Sequence, residues 1–238
     1  MFELNITPEW QDAIRKRSSI RHYTGGPTDE QLSQLGVLCK KLSWQGVTIR
    51  MFRGPGLKGN IRGTNVYAVI VAKRDTPPEL EGYMGEALVL EATRLGLGTC
   101  WLGAGFNPDI VNKNVSLQSD EQIHCVIAIG QAQFPTFNPK RRSLEQVCKK
   151  DESALNALGP WQLTAVEDAR LAPSAINQQP WNLEVDATSL SVLERRVLIG
   201  KYAGIDRGIC MLHAAVGAKA FQRNAIWKKV DGGYMMRA

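Results

Sequence analysis

The sequence predicts an α+β protein of two similar halves sharing one core. Two short, almost wholly apolar runs, NVYAVIVA at residues 65–72 and QIHCVIAIG at 122–130, read as buried strands. Helical periodicity lies before, between and after them. Beyond residue 150 the succession of helix, loop and strand starts again, with no Pro/Ser-rich linker separating the two parts.

The elements follow in order. Thr7-Pro8-Glu9 supplies a hydroxyl cap, a proline at the first helical position and an acid facing the helix dipole, so a helix is expected from there to Arg17, ended at Gly25-Gly26-Pro27. Thr28 caps a second helix, with Gln31 completing a capping box and Leu32, Leu35, Leu38 and Leu42 along one side. Residues 44–65 carry Gly46, Gly54, Pro55, Gly56, Gly59 and Gly63 and are expected to be loop-rich. Between the two strands, residues 79–95 form a helix with Tyr83, Ala87, Leu90 and Arg94 about a turn apart, closed by Gly96 and Gly98. A basic loop and a short helix lead to Lys150. In the second part, residues 161–171 read as a helix, 181–185 as a strand, 189–193 as its hairpin partner and 206–221 as another apolar helix. The stretch from Gln31 can be laid on that from Gln162, and Tyr83-Met84-Gly85 on Tyr202-Ala203-Gly204, as an internal repeat would require.

Composition excludes whole classes. With 238 residues, 44% hydrophobic, 22% charged and a mean hydropathy of −0.21, the chain is neither disordered nor a disulfide miniprotein. Its longest purely apolar run, residues 66–72, is far short of the roughly 20 residues a membrane helix needs. The start MFELNITPEW lacks a basic segment followed by an apolar one, so no signal peptide is expected and the chain reads as cytoplasmic. The odd number of cysteines, 5 with no CxxC pair, fits free thiols in a reducing compartment. His22, His124 and His213 are scattered, so no metal site is expected. The net charge of +6 concentrates at Arg15-Lys16-Arg17 with Arg21, at Lys140-Arg141-Arg142 and at Lys228-Lys229. Such clusters are either solvated surface or the walls of an anion site, and charge alone does not decide between them.

Three segments carry chemistry. In Arg17-Ser18-Ser19-Ile20-Arg21, two guanidinium groups with hydroxyls between them can supply charge-assisted donors to one phosphate, or can satisfy the carbonyls of the preceding helix end. Residues 172–181, APSAINQQPW, form a rigid loop of prolines, small residues and amides, far more specific than a helix-to-strand turn requires. Residues 96–106, GLGTCWLGAGF, are rich in small residues that let backbone approach a flat ring. This last is neither a GxGxxG fingerprint opening a βαβ unit nor a Walker loop.

Together these segments resemble the FMN-dependent nitroreductase family, and more narrowly its members whose single chain looks like a fused pseudo-dimer. The resemblance also takes in the strand ending at Gly130 and Lys140-Arg141-Arg142 before Ser143-Leu144-Glu145. It implies a mostly antiparallel sheet flanked by helices. In ordinary members the PSAxNxQPW segment follows soon after the Arg-Ser motif; here Leu42-Ser43-Trp44-Gln45-Gly46 stands in that place and the intact copy lies near residue 175. The resemblance therefore implies that residues 1–150, a first half, keep the phosphate side of one flavin site, while 151–238, a second half, keep the ring-covering loop. One FMN per chain and a monomer are expected.

Carried over by position, Arg17, Ser18, Ser19 and Arg21 would hold the flavin phosphate and ribityl chain, with Lys140 and Arg142 completing the phosphate site. Pro173, Ser174, Ala175 and Asn177 would line the ring, and Leu102, Gly103 and Ala104 would lie by its N5 edge. Some members have a glutamate in that last region, where this chain has Ala104 and Gly105, so backbone contact is what remains. Lys58, Asn60 and Arg62 are candidates for the other ring edge. The flavin carries the chemistry and no catalytic side chain is expected. NADH or NADPH would deliver hydride, and an electron-poor acceptor such as a quinone or nitroaromatic would take it in a ping-pong cycle. Reductive dehalogenation or other flavin chemistry is the alternative within the class. Cys100 reads as a core thiol, since its neighbours are apolar and no histidine is close in sequence. The alternative of another class, a basic nucleic-acid-binding module, lacks aromatics interleaved with the basic residues, and no nucleic-acid or membrane partner is expected.

Overall fold

The computed structural model describes residues 4–132 and 140–237. In chain order these contain α1 (Trp10–Lys16), α2 (Asp29–Leu42), β1 (Val47–Arg53), β2 (Val66–Lys73), α3 (Pro78–Arg94), β3 (Leu97–Leu102), α4 (Pro108–Asn114) and β4 (Glu121–Gln131). There follow α5 (Leu144–Cys148), α6 (Glu152–Asn156), α7 (Pro160–Arg170), a 3-10 turn (Ala175–Asn177), β5 (Trp181–Val185), β6 (Ser189–Glu194), α8 (Ala203–Lys219), β7 (Ile226–Val230) and β8 (Gly233–Arg237). The fold is α+β with antiparallel sheets, as expected. The chain forms two compact units: one of Lys16–Pro77 and Met84–Asn138, the other of Met1–Arg15, Pro78–Tyr83 and Pro139–Ala238.

In the first unit the strand order is β1-β2-β4-β3, every pair antiparallel. β2 is buried from Val66 to Ala72, which is why it reads as a continuous apolar run rather than an alternating one. Thr28 caps α2 as expected: its Oγ1 accepts the Gln31 N–H at 3.2 Å, while Gln31 Oε1 accepts the Thr28 N–H at 2.9 Å. Ile20, Tyr23, Leu57, Ile61, Tyr67, Val69, Cys100, Leu102 and Val126 form one apolar cluster on this sheet. Gly63 (φ 84°) belongs to that packing, because a Cβ there would sit 1.9 Å from the Tyr23 carbonyl oxygen.

Two expectations need correction here. Residues 44–65 are not all loop: they contain β1, an edge strand whose Val47 and Ile49 are buried. Gly98, expected with Gly96 to close the preceding helix, instead lies in β3, where a Cβ would meet Ala132 at 2.8 Å and Ile20 at 2.9 Å. Close packing, rather than chain reversal, explains that glycine.

In the second unit the order is β5-β6-β8-β7, again antiparallel throughout. The β7–β8 hairpin, absent from the sequence expectations, turns at Asp231-Gly232, with Gly232 at φ 68°. α8 is buried along nearly its whole length and packs on α7. Its N-terminal part crosses the first turn of α3 at glycines on both sides: a Cβ on Gly82 would lie 1.9 Å from the Ile205 carbonyl oxygen, and one on Gly208 1.9 Å from that of Glu79. The two sheets thus share one strand order, and the helix between second and third strands is α3 in one and α8 in the other, each of 17 residues.

Candidate functional site

The predicted site residues fall into two clusters, one in each unit. Arg17, Ser18, Ser19, Arg21, Leu102, Gly103 and Ala104 belong to the first, and Lys140, Arg142, Pro173, Ser174, Ala175 and Asn177 to the second.

In the first cluster the chain leaves α1 at Lys16 and runs extended between two neighbours. Ser19 bridges Thr99 on β3, Ile20 donates its N–H to the Thr99 carbonyl at 2.9 Å, and Arg62 donates to the Arg21 carbonyl at 2.9 Å. Arg17 is 6% exposed, and its Nε lies 3.7 Å from Glu86 Oε1. Glu86, itself fully buried, accepts the Trp101 indole N–H on its other oxygen at 2.8 Å. Burial pulls the Arg17 pKa down and Glu86 opposes it, so the pair keeps a charge where the core would otherwise reject one. Arg21 is exposed and Lys58 half-buried, the latter donating to the Ala104 carbonyl at 2.6 Å. Burial raises the Cys100 thiol, against the pull of Arg21, Arg17 and Lys58 in that order. Asn60 and Arg62 are exposed on the same loop. Leu102 is buried, Gly103 half-buried and Ala104 exposed. Two donors of the motif, Arg17 Nε and Ser18 Oγ, are buried without a hydrogen-bond partner. Buried polar atoms of native proteins are rarely left so, and two on adjacent residues, one of them a guanidinium nitrogen, are of the kind that can donate to an oxyanion.

In the second cluster the arginines serve the loop. Arg141 donates to the Ala172 carbonyl at 3.1 Å, the Leu171 carbonyl at 3.3 Å and Asn177 Oδ1 at 3.0 Å. The Arg142 guanidinium donates to the carbonyls of Trp181, at 2.8 Å, and Gln146, and its backbone N–H to Gln179 Oε1 at 2.8 Å. Burial, then Arg195, holds the Arg142 pKa below its ordinary value. The Lys140 side chain is exposed, while its carbonyl accepts the Asn177 amide at 3.0 Å. Pro173 is buried, Ser174 and Ala175 half-buried, and Asn177 exposed. Glu86, Trp101, Asp206 and Arg195 were not among the sequence candidates; each acts on a segment distant in the chain, and no local motif signals it. Among the described residues no group of three or more His, Cys, Asp or Glu side chains could hold a metal ion.

Residues 9–218 match the model of the family described as "Putative TM nitroreductase". The chain belongs to that family. Its fold is similar to that of a solved nitroreductase-type protein from Thermotoga maritima MSB8, with TM-score 0.73 and 23% identity over 99% of this chain and 96% of that one. Smaller likenesses include an FMN-dependent nitroreductase from Clostridium difficile R20291 (TM-score 0.43, 18% identity, 53% of this chain and 90% of that one). Another is described as an NADH oxidase from Clostridium acetobutylicum (TM-score 0.46, 18% identity, 59% and 99%). No curated protein matches the sequence. Among the described residues no helix of this nitroreductase family member is long and apolar enough to cross a membrane.

Proposed function

We propose that the chain is an FMN-dependent NAD(P)H oxidoreductase that passes hydride to an electron-poor acceptor, a quinone or nitroaromatic. The observation that carries this reading is the buried Ser18 Oγ, left without a hydrogen-bond partner beside the buried Arg17, whose Nε is ion-paired to Glu86 but makes no hydrogen bond, with Arg21 exposed on the same segment. A phosphate of the cofactor is the group such a donor set fits, and the family assignment supports the flavin. When bound, FMN supplies the two-electron hydride chemistry. Arg17, braced by Glu86, and Ser18 would donate to its phosphate, with Ser19 beside them, and the exposed Arg21 would add charge. Lys58, tied to the Ala104 carbonyl, would hold a cation near the ring edge, where it would favour the reduced flavin. The backbone N–H groups of Leu102, Gly103 and Ala104 would orient the ring. Ser174, Ala175 and Asn177, on the loop closed by Pro173, would line the ring and exclude water from it. Lys140, whose side chain is exposed, would add to the phosphate site, with Arg142 fixing the loop from which it projects.

The same reading takes residues 1–150 and 151–238 as two halves of an internal pseudo-dimer. It is supported by the common strand order of the sheets and by the reciprocal glycine contacts: Gly82 and Gly208, like Glu79 and Ile205, are 126 positions apart. That spacing pairs α3 with α8 and supersedes the match of Tyr83 with Tyr202. Only the second half carries a long loop between its helix and first strand, which supports one FMN per chain in a monomer. Five free, buried cysteines support the cytoplasm as its place.

The test is the visible spectrum of the purified chain, with flavin counted after release. About one FMN per chain is expected on this cofactor logic. About two would end the single-site reading, and a colourless protein that takes up no added FMN would end the flavin reading altogether.

A further inference from the structure

The loop after α7 is held in a conformation its own residues do not favour. Ile176 (φ 44°), Asn177 (φ 58°) and Gln179 (φ 48°) all have left-handed backbone. For a β-branched residue this is costly, and Ile176 is 75% exposed, so burial of its side chain does not hold it there. The bracing comes from polar groups around it. Ser174 Oγ accepts the Gln179 N–H at 2.8 Å, and the Arg195 guanidinium donates to the carbonyls of Gln178 and Gln179. From the first turn of α8, Asp206 sets both carboxylate oxygens on the Ala175 N–H, at 3.0 and 3.1 Å, immediately before the strained residues. Its carboxylate is spent on that one donor although the residue is only 6% exposed.

We propose that Asp206 is a positioning residue: by accepting the Ala175 N–H it holds Ser174, Ala175 and Asn177 in the geometry in which the loop meets the flavin ring. The functional half of this statement rests on the flavin reading above; the bracing does not. Asp206 touches neither cofactor nor substrate in this role and acts through the loop alone.

The brace is sensitive to pH. Burial raises the Asp206 carboxyl to about 7, against the pull of the Ala175 N–H and of Arg207. Arg207, its neighbour on α8, is itself held by Glu79 of α3 at 2.6 Å and lies 4.0 Å from Glu194 at the end of β6. Above neutrality the carboxylate makes a charge-assisted bond to the loop; below it, the neutral acid is a weaker acceptor. Loop order therefore rises with pH across the Asp206 titration, while the cost of keeping a buried charge rises as well.

Amide hydrogen exchange of residues 174–179 in the flavin-stripped chain tests this at pH 6 and 8, corrected for intrinsic rates, with β2 as a reference for global unfolding. Protection is expected to be greater at pH 8 in the wild type, and Asp206→Asn should remove that dependence while keeping part of the protection. Asp206→Ala should lose about tenfold, the value of one charge-assisted hydrogen bond. Wild-type protection in Asp206→Ala, or a pH trend that survives in Asp206→Asn, overturns the proposal; should Asp206→Ala not fold, the Asn variant decides. In the reloaded protein, the rate of flavin reduction by NAD(P)H should follow the same pH profile and lose it in Asp206→Asn. A chain that binds no FMN yet loses loop protection without Asp206 refutes the flavin reading and keeps the brace. A chain with one FMN and a loop indifferent to Asp206 does the reverse.

Discussion

The connection from α2 to β1 and the connection from α7 to β5 stand at the same place in two sheets of identical strand order, and they could hardly differ more. The first, residues 43–46, is a tight turn in which Gln45 (φ 48°) and Gly46 (φ 87°) reverse the chain, Trp44 and Val47 pairing across it. The second, residues 171–180, has three non-glycine residues in left-handed backbone and is braced by Ser174, Arg141, Arg195 and Asp206. A connection needs only the first kind of turn. Strain that is kept and braced by polar groups exceeds what a connection needs, and it supports the proposal that this half retains its side of a site.

If the halves descend from one unit, their crossing should be equally intolerant on both sides. Gly82→Ala and Gly208→Ala each push a Cβ to 1.9 Å from a backbone oxygen, which no side-chain rearrangement relieves. Each should cost about 3 kcal/mol or more, enough to unfold a marginal protein, whereas Gly36→Ala inside α2, where nothing lies within 4 Å, should gain about 0.5–1 kcal/mol. Thermal unfolding of the three variants decides: a tolerated change at one glycine only would break the reciprocity on which the pseudo-dimer rests.

The two arginines of the motif sharpen the contrast between structure and binding within one unit. Arg17→Ala removes the cation beside the buried Glu86 and should cost about 3–5 kcal/mol of stability as well as flavin. Arg21→Ala removes an exposed cation and should leave the melting temperature within a degree or two while weakening FMN about tenfold. Titration of stripped protein with FMN, beside melting curves, separates the two. An unchanged FMN affinity in both variants would remove the phosphate role from this segment.

What the sequence discloses follows from where the information sits. The Thr28–Gln31 capping box, the β5 strand and the apolar runs of β2 and β4 are local patterns, and each is found where expected. β1 was hidden because it is a half-buried edge strand followed by glycines, and β3 because a glycine that makes room for Ile20 looks the same in sequence as one that makes a turn. The Asp231-Gly232 turn between β7 and β8 is likewise a local hairpin signal. At the site, residue types disclose the phosphate motif, but not that the Arg142 guanidinium is consumed by carbonyls of its own chain. Nor do they disclose Glu86 and Asp206, whose partners at Arg17 and Ala175 are remote in sequence and meet only in the fold.

A smaller effect distinguishes two buried carboxylates of the second unit, Asp206 and Asp168. Asp206 braces a loop; Asp168, on α7, receives Gln11 of α1 at 3.1 Å and Arg15 at 3.4 Å, while its backbone carbonyl meets His213 Nδ1 at 3.1 Å. Burial raises Asp168 from 3.8 to about 6, with Arg15, Gln11 and His213 opposing. A carboxyl whose pKa is higher in the folded chain than in the unfolded one binds more protons when folded. Its stabilisation is therefore complete below about pH 4 and is lost as the pH rises toward 6. The loss amounts to about 2–3 kcal/mol, since each unit is worth about 1.4. Asp168→Asn removes the titration, so denaturant unfolding between pH 4 and 6 should show a flatter stability profile in the variant than in the wild type. Asp206→Asn should flatten the wild-type profile over a window that extends one unit higher, to about 7. If the Asp168 variant keeps the wild-type slope, the anchor of α1 is not this carboxylate, and the contrast between a carboxyl that holds a helix and one that holds a loop fails on the Asp168 side.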